Sequence, residues 1–388
     1  MQFSKRMERF GQGIFASLLA EKRRLLQEGR EVVDLSVGTP NIPPAQHVID
    51  ALCAAAADPQ SYVYAIQDTD ELKEAAAAWY RRRYGVILDP QREVASLLGS
   101  QEGLSHIALS IVDDGDVVLV PDPCYPIFGD GPALAGASLA YMPQRKENGY
   151  LIDFDEIPGD IARAARLMVV SYPNNPTTAV APPAFYEALI AFAQRNDILV
   201  LHDNAYSELT FNGQRCGSFL AYPGAKEVGV EFNSLSKTYG MAGARVGFCV
   251  GNDQVVEKLV QLKSNIDYGM FLPIQRAAIA AITGDQSCVE QTRRAYERRA
   301  RLLADGLNRI GWKVEMPKAT MFLWASLPEG CSDSRDFCLK LLNRCGVLVT
   351  PGAAFGPSGE GYVRMALVQE EEAIQQAVEA IAQSGILG

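Results

Sequence analysis

A lysine and an aspartate stand at positions where they could carry chemistry. Lys237 follows the run VGVEFNSLS and precedes the glycine-rich segment GMAGARVG. A lysine is usually a solvated surface charge, but one that follows a buried strand can lose its proton and form a Schiff base with an aldehyde. Asp203 ends the apolar run ILVLHD. Its carboxylate could cap a helix, or it could pair with a ring nitrogen that has to stay protonated.

Two further segments could bind an anion. Ser234, Ser236 and Arg245 offer hydroxyl groups and a guanidinium group to a phosphate. The segment GSQEGLSHIALSIV (99–112) indicates a loop that opens a helix, and the first amides, at Ser100, Gln101 and Glu102, would point at an anion. An ordinary helix start with a capping serine is the alternative. Together with the lysine and the aspartate, a phosphate site favours pyridoxal phosphate as a cofactor.

The elements that must position these residues follow an alternating pattern. From about residue 46 to 280, continuously apolar runs such as LMVVSYP and ILVLHD alternate with helical stretches such as PAFYEALIAFAQRN. This pattern predicts a large α/β domain with a mainly parallel sheet. From 281 to 388 the pattern predicts a smaller α+β domain, which residues 1–45 join. Since ligands bind at the carboxyl ends of parallel strands, we expect the polar residues after these strands to share one pocket.

Composition excludes several other classes of protein. The chain has 388 residues and a net charge of −10, which disfavours nucleic acid as a partner. The eight cysteines form no C-x-x-C pair and the three histidines do not cluster, so we expect reduced thiols, a cytoplasmic location and no metal site. No apolar run is long enough for a membrane span. GMAGARVG is not G-x-G-x-x-G, which disfavours a nicotinamide-dependent dehydrogenase.

The segment from Ser234 to Gly247 resembles the cofactor-lysine signature of the class I/II aminotransferases, which have fold type I. It has the pattern S-L-S-K-x-x-G-x-x-G-x-R-x-G. The other motifs of that family, G-S-Q-E-G, P-x-Y-P, N-N-P-T, D-N-A-Y and G-E-G-Y-V-R, occur in the family's order, and the resemblance spans residues 38–364. It implies a pyridoxal phosphate enzyme that moves amino groups between an amino acid and a 2-oxo acid.

The resemblance assigns cofactor-binding roles to individual residues. Lys237 would carry the cofactor and move the substrate proton, and Asp203 would pair with the ring nitrogen. Asn175 and Tyr206 would donate hydrogen bonds to the phenolic oxygen of the cofactor, and Tyr125 would stack on the face of its ring. The residues that would bind the cofactor phosphate are Ser100, Gln101, Ser234, Ser236 and Arg245.

The resemblance also assigns a substrate site. Arg364, in GEGYVRMAL, would clamp the substrate α-carboxylate, together with Asn175 and the backbone amide of Gly38. Tyr64 would reach the phosphate of a neighbouring subunit, which implies a homodimer. The chain departs from the family pattern in two places: Thr178 stands where the family has a glycine, and Tyr62 competes with Tyr64 for the tyrosine position.

Within the family, segments such as VSYPNNPT, HDNAYSEL and EFNSLSKTYGMAGAR look most like the LL-diaminopimelate aminotransferases. That resemblance implies LL-diaminopimelate as amino donor, with 2-oxoglutarate and glutamate as the exchanging pair. Aspartate, alanine, methionine or aromatic amino acids as substrates, and a β-lyase reaction on sulfur amino acids, are the alternatives. Candidates for the side-chain pocket, to which no role is assigned, are Phe15, Tyr268, Met321 and Phe322.

Overall fold

The computed structural model describes residues 4, 6, 7, 10 and 14–387, and of residues 14–16 only the backbone. Phe15, one of the candidates for the side-chain pocket, therefore lies outside the described side chains. In chain order the helices and strands are α1 (Ile14–Gln27), β1 (Val33–Asp34), α2 (Gln46–Ala56), α3 (Asp70–Tyr84), β2 (Val94–Leu97), α4 (Ser100–Ile111), β3 (Val117–Asp122), α5 (Ile127–Leu134), β4 (Ser138–Pro143), α6 (Gly159–Ala164), β5 (Ala165–Ser171), α7 (Pro183–Asn196), β6 (Leu199–Asp203), α8 (Ala225–Val228), β7 (Gly229–Ser234), α9 (Leu235–Thr238), β8 (Gly247–Gly251), α10 (Asp253–Lys263), α11 (Leu272–Thr283), α12 (Ser287–Arg309), β9 (Phe322–Ser326), α13 (Ser334–Cys345), β10 (Val347–Leu348), β11 (Thr350–Pro351), β12 (Tyr362–Ala366) and α14 (Glu371–Gln383).

A seven-stranded sheet forms the centre of the molecule, with the strand order β2-β8-β7-β6-β5-β3-β4. Strands β7, β6, β5, β3 and β4 run parallel to one another, and β8 is antiparallel to both of its neighbours, β2 and β7. The prediction of an α/β fold with a mainly parallel sheet is therefore confirmed.

Both faces of this sheet are buried, which explains the unbroken apolar runs of its strands. Alternate residues point to opposite faces. Val200 and Val250 belong to a cluster with Trp79 of α3, whereas Leu201 and Cys249 belong to a second cluster on the other face. The strands are thus packed on both faces, and this packing holds in place the residues that follow each strand.

Local signals set the ends of the helices that flank the sheet. Helix α3 begins after Thr69, whose hydroxyl oxygen accepts the Leu72 amide, and ends at Gly85, which has a φ of 71°. A hydroxyl cap satisfies an amide that lacks a partner in the helix, and glycine tolerates the left-handed conformation that stops it. The sequence 69–85 thus contains the local signals that set both ends of α3.

The C-terminal part of the chain forms two smaller sheets and a third apolar cluster. Strands β11, β12 and β9 form an antiparallel sheet in that order, and β1 pairs in parallel with β10. The cluster around Trp312 and Phe337 also contains Leu18, Leu25 and Leu35 from the N-terminal segment. We keep the domain boundaries at residues 46 and 280 as a proposal. Over the residues that the structure describes, no helix is long and apolar enough to cross a membrane.

Candidate active site

Several polar residues follow the carboxyl ends of the parallel strands. Asn175 comes after β5, Asp203 ends β6, and Lys237 lies on the short helix α9 directly after β7. Since β5, β6 and β7 are parallel neighbours, these ends meet at one edge of the sheet, where ligands of open α/β sheets bind. Tyr125 follows β3 at the same edge.

Lys237 is largely buried in this edge, and its Nζ donates a hydrogen bond to the Gly38 carbonyl at 2.9 Å. Burial, and then the positive charges of Arg364 and Arg245, lower the pKa of Lys237 to about 8, against the opposing effect of Asp203. A substantial part of the lysine is therefore neutral near physiological pH. A neutral amine is the form that attacks an aldehyde.

Asp203 is the acidic group of the site. Its side chain is buried, and the Ala205 amide donates to Oδ1 at 3.2 Å. Burial raises the pKa of Asp203 to about 6, and the hydrogen bond from Ala205 and the charge of Lys237 oppose the rise. A buried carboxylate gains most from a partner that brings a proton or a positive charge. A protonated ring nitrogen would be such a partner.

Arg364 is a buried cation that forms no ion pair with any residue that the structure describes. Its Nη1 donates to Asn175 Oδ1 at 2.8 Å and its Nη2 to the Ser36 carbonyl at 2.9 Å. The guanidinium lies 4.0 Å from the ring centre of Phe322 and 4.6 Å from that of Phe355.

Burial lowers the pKa of Arg364 to about 10, so the group stays charged. Its Nε is buried without a hydrogen-bond partner among the described residues. A buried cation without an anion is costly, and a carboxylate from the substrate would relieve that cost.

The aromatic residues of the predicted set differ in their contacts. The hydroxyl of Tyr125 donates to Gln101 Oε1 at 2.8 Å. Burial raises the pKa of Tyr125, and the charges of Asp203, Arg364 and Arg245 also act on it, so the ring lies among the charged groups. Tyr206 is buried at 5.8 Å, centre to centre, from the ring of Phe322.

Arg245 and the turn before α4 form the part of the site that could bind a phosphate. Gly99 has a φ of 81°, and a Cβ at that position would collide with the guanidinium of Arg245. A Cβ at Gly247 would lie 3.0 Å from the Ser100 nitrogen. The two glycines therefore let the backbone approach closely. The first amides of α4, which have no carbonyl partner within the helix, lie beside a guanidinium group, and this donor set suits a phosphate.

Three residues of the predicted set have contacts that the motifs alone do not reveal. Ser234 Oγ accepts the Ser236 amide at 3.2 Å and so caps α9. Gly38 was expected to offer its amide to a substrate, and in the structure its carbonyl accepts the amine of Lys237. Tyr64 is 86% exposed on the surface. The contacts in this chain therefore do not bring Tyr64 to the other residues of the set.

Thr178, at the family's glycine position, has a φ of 62°. This left-handed conformation is one that a β-branched residue rarely adopts. The Thr178 amide donates to the Asn174 carbonyl at 2.9 Å. The chain thus forms the turn beside Asn175 with threonine in place of glycine.

Sequence reasoning did not find the groups around Arg364. Phe355 and the Ser36 carbonyl were not singled out, and Phe322 was only a candidate for the side-chain pocket. Phe322 and Arg364 lie on the neighbouring strands β9 and β12. The sole signal in the sequence was the alternation of large residues in MFLWASL, which also fits an ordinary buried strand.

Comparisons with known proteins agree with this geometry. Residues 30–381 match the family described as aminotransferase class I and II. The chain is 44% identical to the LL-diaminopimelate aminotransferase of Moorella thermoacetica, over 98% of each chain. It is 47% identical to the enzyme of the same name from Syntrophobacter fumaroxidans, over 94% of each chain.

Solved structures show the same similarity in three dimensions. Substrate-bound BacF of Bacillus subtilis superposes with a TM-score of 0.95 at 37% identity, over 99% of this chain and 98% of that one. A mutant aspartate aminotransferase of Thermus thermophilus gives a TM-score of 0.93 at 27% identity, over 99% of this chain and 100% of that one. The chain therefore belongs to the class I and II aminotransferases, fold type I enzymes that use pyridoxal phosphate to transfer amino groups.

Proposed function

We propose that this enzyme takes the amino group of LL-diaminopimelate and exchanges it through the 2-oxoglutarate and glutamate pair. The observation that carries the catalytic part is the environment of Lys237. This partly buried amine donates to the Gly38 carbonyl at 2.9 Å, and burial and the charges of Arg364 and Arg245 lower its pKa to about 8. Support for the substrate comes from the near full-length similarity to relatives named LL-diaminopimelate aminotransferase.

When bound, pyridoxal phosphate supplies an electron sink for the carbanion formed at the substrate Cα. Lys237 would hold the cofactor, and its Nζ would take the proton from the substrate Cα. The Gly38 carbonyl, 2.9 Å from that nitrogen, holds the amine in place. Asp203 would keep a proton on the ring nitrogen of the cofactor, because a buried carboxylate strongly favours a positively charged partner.

Arg364 orients the substrate in this proposal. Its guanidinium group is fixed by Asn175 and the Ser36 carbonyl, and the rings of Phe322 and Phe355 hold it in a plane. A preorganised guanidinium can bind a carboxylate through two parallel hydrogen bonds. Binding the α-carboxylate there would bring the substrate to the edge of the sheet where Lys237 lies, since the charge of Arg364 acts on this lysine.

The remaining predicted residues hold the cofactor. Arg245, Ser234, Ser236 and the first residues of α4, Ser100 and Gln101, would bind the phosphate. Support for this comes from the close approach of Arg245 and Gly247 to the turn before α4. Tyr125 would stack on the cofactor ring, and Asn175 and Tyr206 would donate to its phenolic oxygen.

We also propose that the enzyme is a homodimer in which Tyr64 reaches the phosphate of the other subunit. An exposed apolar patch supports this, formed by Tyr62, Val63, Tyr64, Ile66, Ile266, Tyr268 and Phe271. Its two segments are joined by the Gly269 amide, which donates to the Ala65 carbonyl at 2.7 Å, and by the ring contact of Tyr64 with Tyr268. Contiguous apolar patches of this kind mark protein interfaces.

Light scattering coupled to gel filtration tests the dimer. We expect I266E/F271E to be a monomer with weakened cofactor binding, whereas I87E, which changes an exposed isoleucine outside the patch, should stay dimeric. A dimeric I266E/F271E protein would contradict the assignment of the interface.

The eight unpaired cysteines support the proposed cytoplasmic location.

A half-reaction screen tests the substrate. The holoenzyme is mixed with single amino acids, and the rate of conversion to the pyridoxamine form is ranked by absorbance. We expect LL-diaminopimelate and glutamate to rank first, and K237M to react with neither. A higher rank for aspartate, alanine, methionine or aromatic amino acids would overturn the substrate assignment. Release of pyruvate, ammonia and thiol without added oxo acid would identify a β-lyase instead.

A further inference from the structure

Glu102, in the first turn of α4, accepts hydrogen bonds from three directions. Its Oε2 accepts the Leu98 amide at 3.1 Å. Its Oε1 lies 2.7 Å from His106 Nδ1 and accepts Lys263 Nζ at 3.1 Å. The carboxylate thus joins the turn before α4 to the end of α10, which lies 161 residues further along the chain.

The turn that Glu102 holds depends on a glycine conformation. Gly99, next to Leu98, combines a φ of 81° with a ψ of 151°, a region that only glycine occupies readily. Such a conformation persists when the surroundings determine it. On one side of the turn Glu102 accepts the Leu98 amide, and on the other side the guanidinium group of Arg245 packs against Gly99. The direction of the Ser100 and Gln101 amides depends on this turn.

The position of Glu102 creates an electrostatic difficulty. A carboxylate in the first turn of a helix is stabilised by the helix dipole, but it repels a phosphate dianion that binds at the same helix start. Lys263 reduces this repulsion, because its ammonium contacts the Glu102 carboxylate directly and its side chain is only 9% exposed to solvent. Asp267, at 3.2 Å from the same ammonium, is its second acidic partner.

Glu102, His106 and Asp267 lie close enough together to hold a cation. The ammonium of Lys263 already contacts both carboxylates, so it takes the place that a metal ion would occupy. Lys263, at the end of α10, therefore offsets part of the negative charge of these two carboxylates.

We propose that Lys263 is a positioning residue for the cofactor phosphate: it neutralises Glu102 and so lets this carboxylate hold the Leu98–Ser100 turn without repelling the phosphate. The inference rests on the proposed binding of the phosphate at Ser100, Gln101 and Arg245. It adds a residue outside that set, which acts through Glu102 and touches neither cofactor nor substrate.

The test compares the affinities of pyridoxal phosphate and of pyridoxal, which lacks the phosphate, in one protein. Both aldehydes can react with Lys237, so their affinity ratio isolates the contribution of the phosphate. We expect K263M to lower the affinity for pyridoxal phosphate relative to the affinity for pyridoxal on the order of tenfold or more, as one uncompensated charge within roughly 7 Å of the phosphate would do. The affinity for pyridoxal itself should change less than about twofold, because pyridoxal carries no phosphate charge for Glu102 to repel. K263R should restore the ratio of the wild type.

The double variant E102Q/K263M provides the decisive comparison. Removing both charges should recover most of the lost ratio, because the amide oxygen of glutamine can still accept the Leu98 amide. A double variant no better than K263M would overturn the proposal, as would an equal loss of both affinities in K263M.

If K263M does not fold, K263Q removes the same charge and can still donate to Glu102. Failure of pyridoxal phosphate to attach to Lys237 in the wild type would refute the proposed function itself. If pyridoxal phosphate does attach but K263M leaves the affinity ratio of pyridoxal phosphate to pyridoxal unchanged, only the proposed role of Lys263 is refuted.

Discussion

The lowered pKa of Lys237 leads to a prediction about the rate at which the apoenzyme takes up an aldehyde. With a pKa of about 8, roughly a quarter of the lysine is neutral at pH 7.5, whereas for an ordinary lysine with a pKa near 10.4 the fraction is about one in a thousand. We therefore expect the rate of imine formation with pyridoxal to rise with pH and to level off above about pH 8.

Two substitutions should move this midpoint in opposite directions. Arg364 lowers the pKa of Lys237 and Asp203 raises it. R364Q removes a nearby positive charge, so the midpoint should move to higher pH. D203N removes a negative charge, so the midpoint should move to lower pH. Each shift should be on the order of one pH unit, the effect of a single charge at roughly 10 Å in a medium of effective dielectric constant about 20.

The assay is stopped-flow absorbance of apoenzyme mixed with pyridoxal between pH 6.5 and 10, with borohydride trapping to confirm attachment at Lys237. R92Q is the matched control, because it removes one positive charge from an arginine whose side chain is 71% exposed. Its midpoint should stay at that of the wild type. A wild-type midpoint near pH 10, or shifts of the same sign in R364Q and D203N, would refute the electrostatic reasoning.

Three further predictions follow from the same contacts. Because burial lowers the pKa of Lys237, this lysine costs the folded apoenzyme about 3 kcal/mol below pH 8 relative to an exposed lysine. K237M should therefore be more stable than the wild type at pH 7, and urea unfolding should show this difference in stability shrinking between about pH 8 and pH 10.4. A difference that stays constant over that range would contradict the lowered pKa. R364K replaces a planar guanidinium group, which can donate two parallel hydrogen bonds to a carboxylate, by a single ammonium group. KM for glutamate should therefore increase roughly 10- to 100-fold, which corresponds to the loss of about 1.5–3 kcal/mol from a charged hydrogen bond. An unchanged KM would argue against binding of a substrate carboxylate at Arg364. T178G removes the strain of a β-branched residue at a φ of 62°. The substitution should raise the free energy of unfolding by up to about 1 kcal/mol, because the relief of strain is partly offset by the larger conformational entropy that glycine loses on folding. A lower Tm would show that packing of the threonine side chain contributes more than its conformation costs.

The motifs around Lys237, Asp203 and Arg364 could be recognised in the sequence because each lies directly after, or within, a strong strand signal. The parallel sheet then brings the ends of β5, β6 and β7 together by its topology alone. The sequence could not show that the Gly38 carbonyl faces Lys237 or that Ser234 caps α9. Those facts depend on the direction of single backbone groups, which periodicity does not encode.

The fold class, the family motifs and the residue types available for chemistry follow from the amino-acid sequence alone, since buried strands and glycine turns are local patterns. The groups that surround Arg364 and the cation that contacts Glu102 became visible in the folded chain. Phe322 and Phe355 flank one guanidinium, and Lys263 reaches Glu102 from a distant helix. Such contacts join segments that are far apart along the chain, and they form only when the packed core fixes the relative position of its strands and helices.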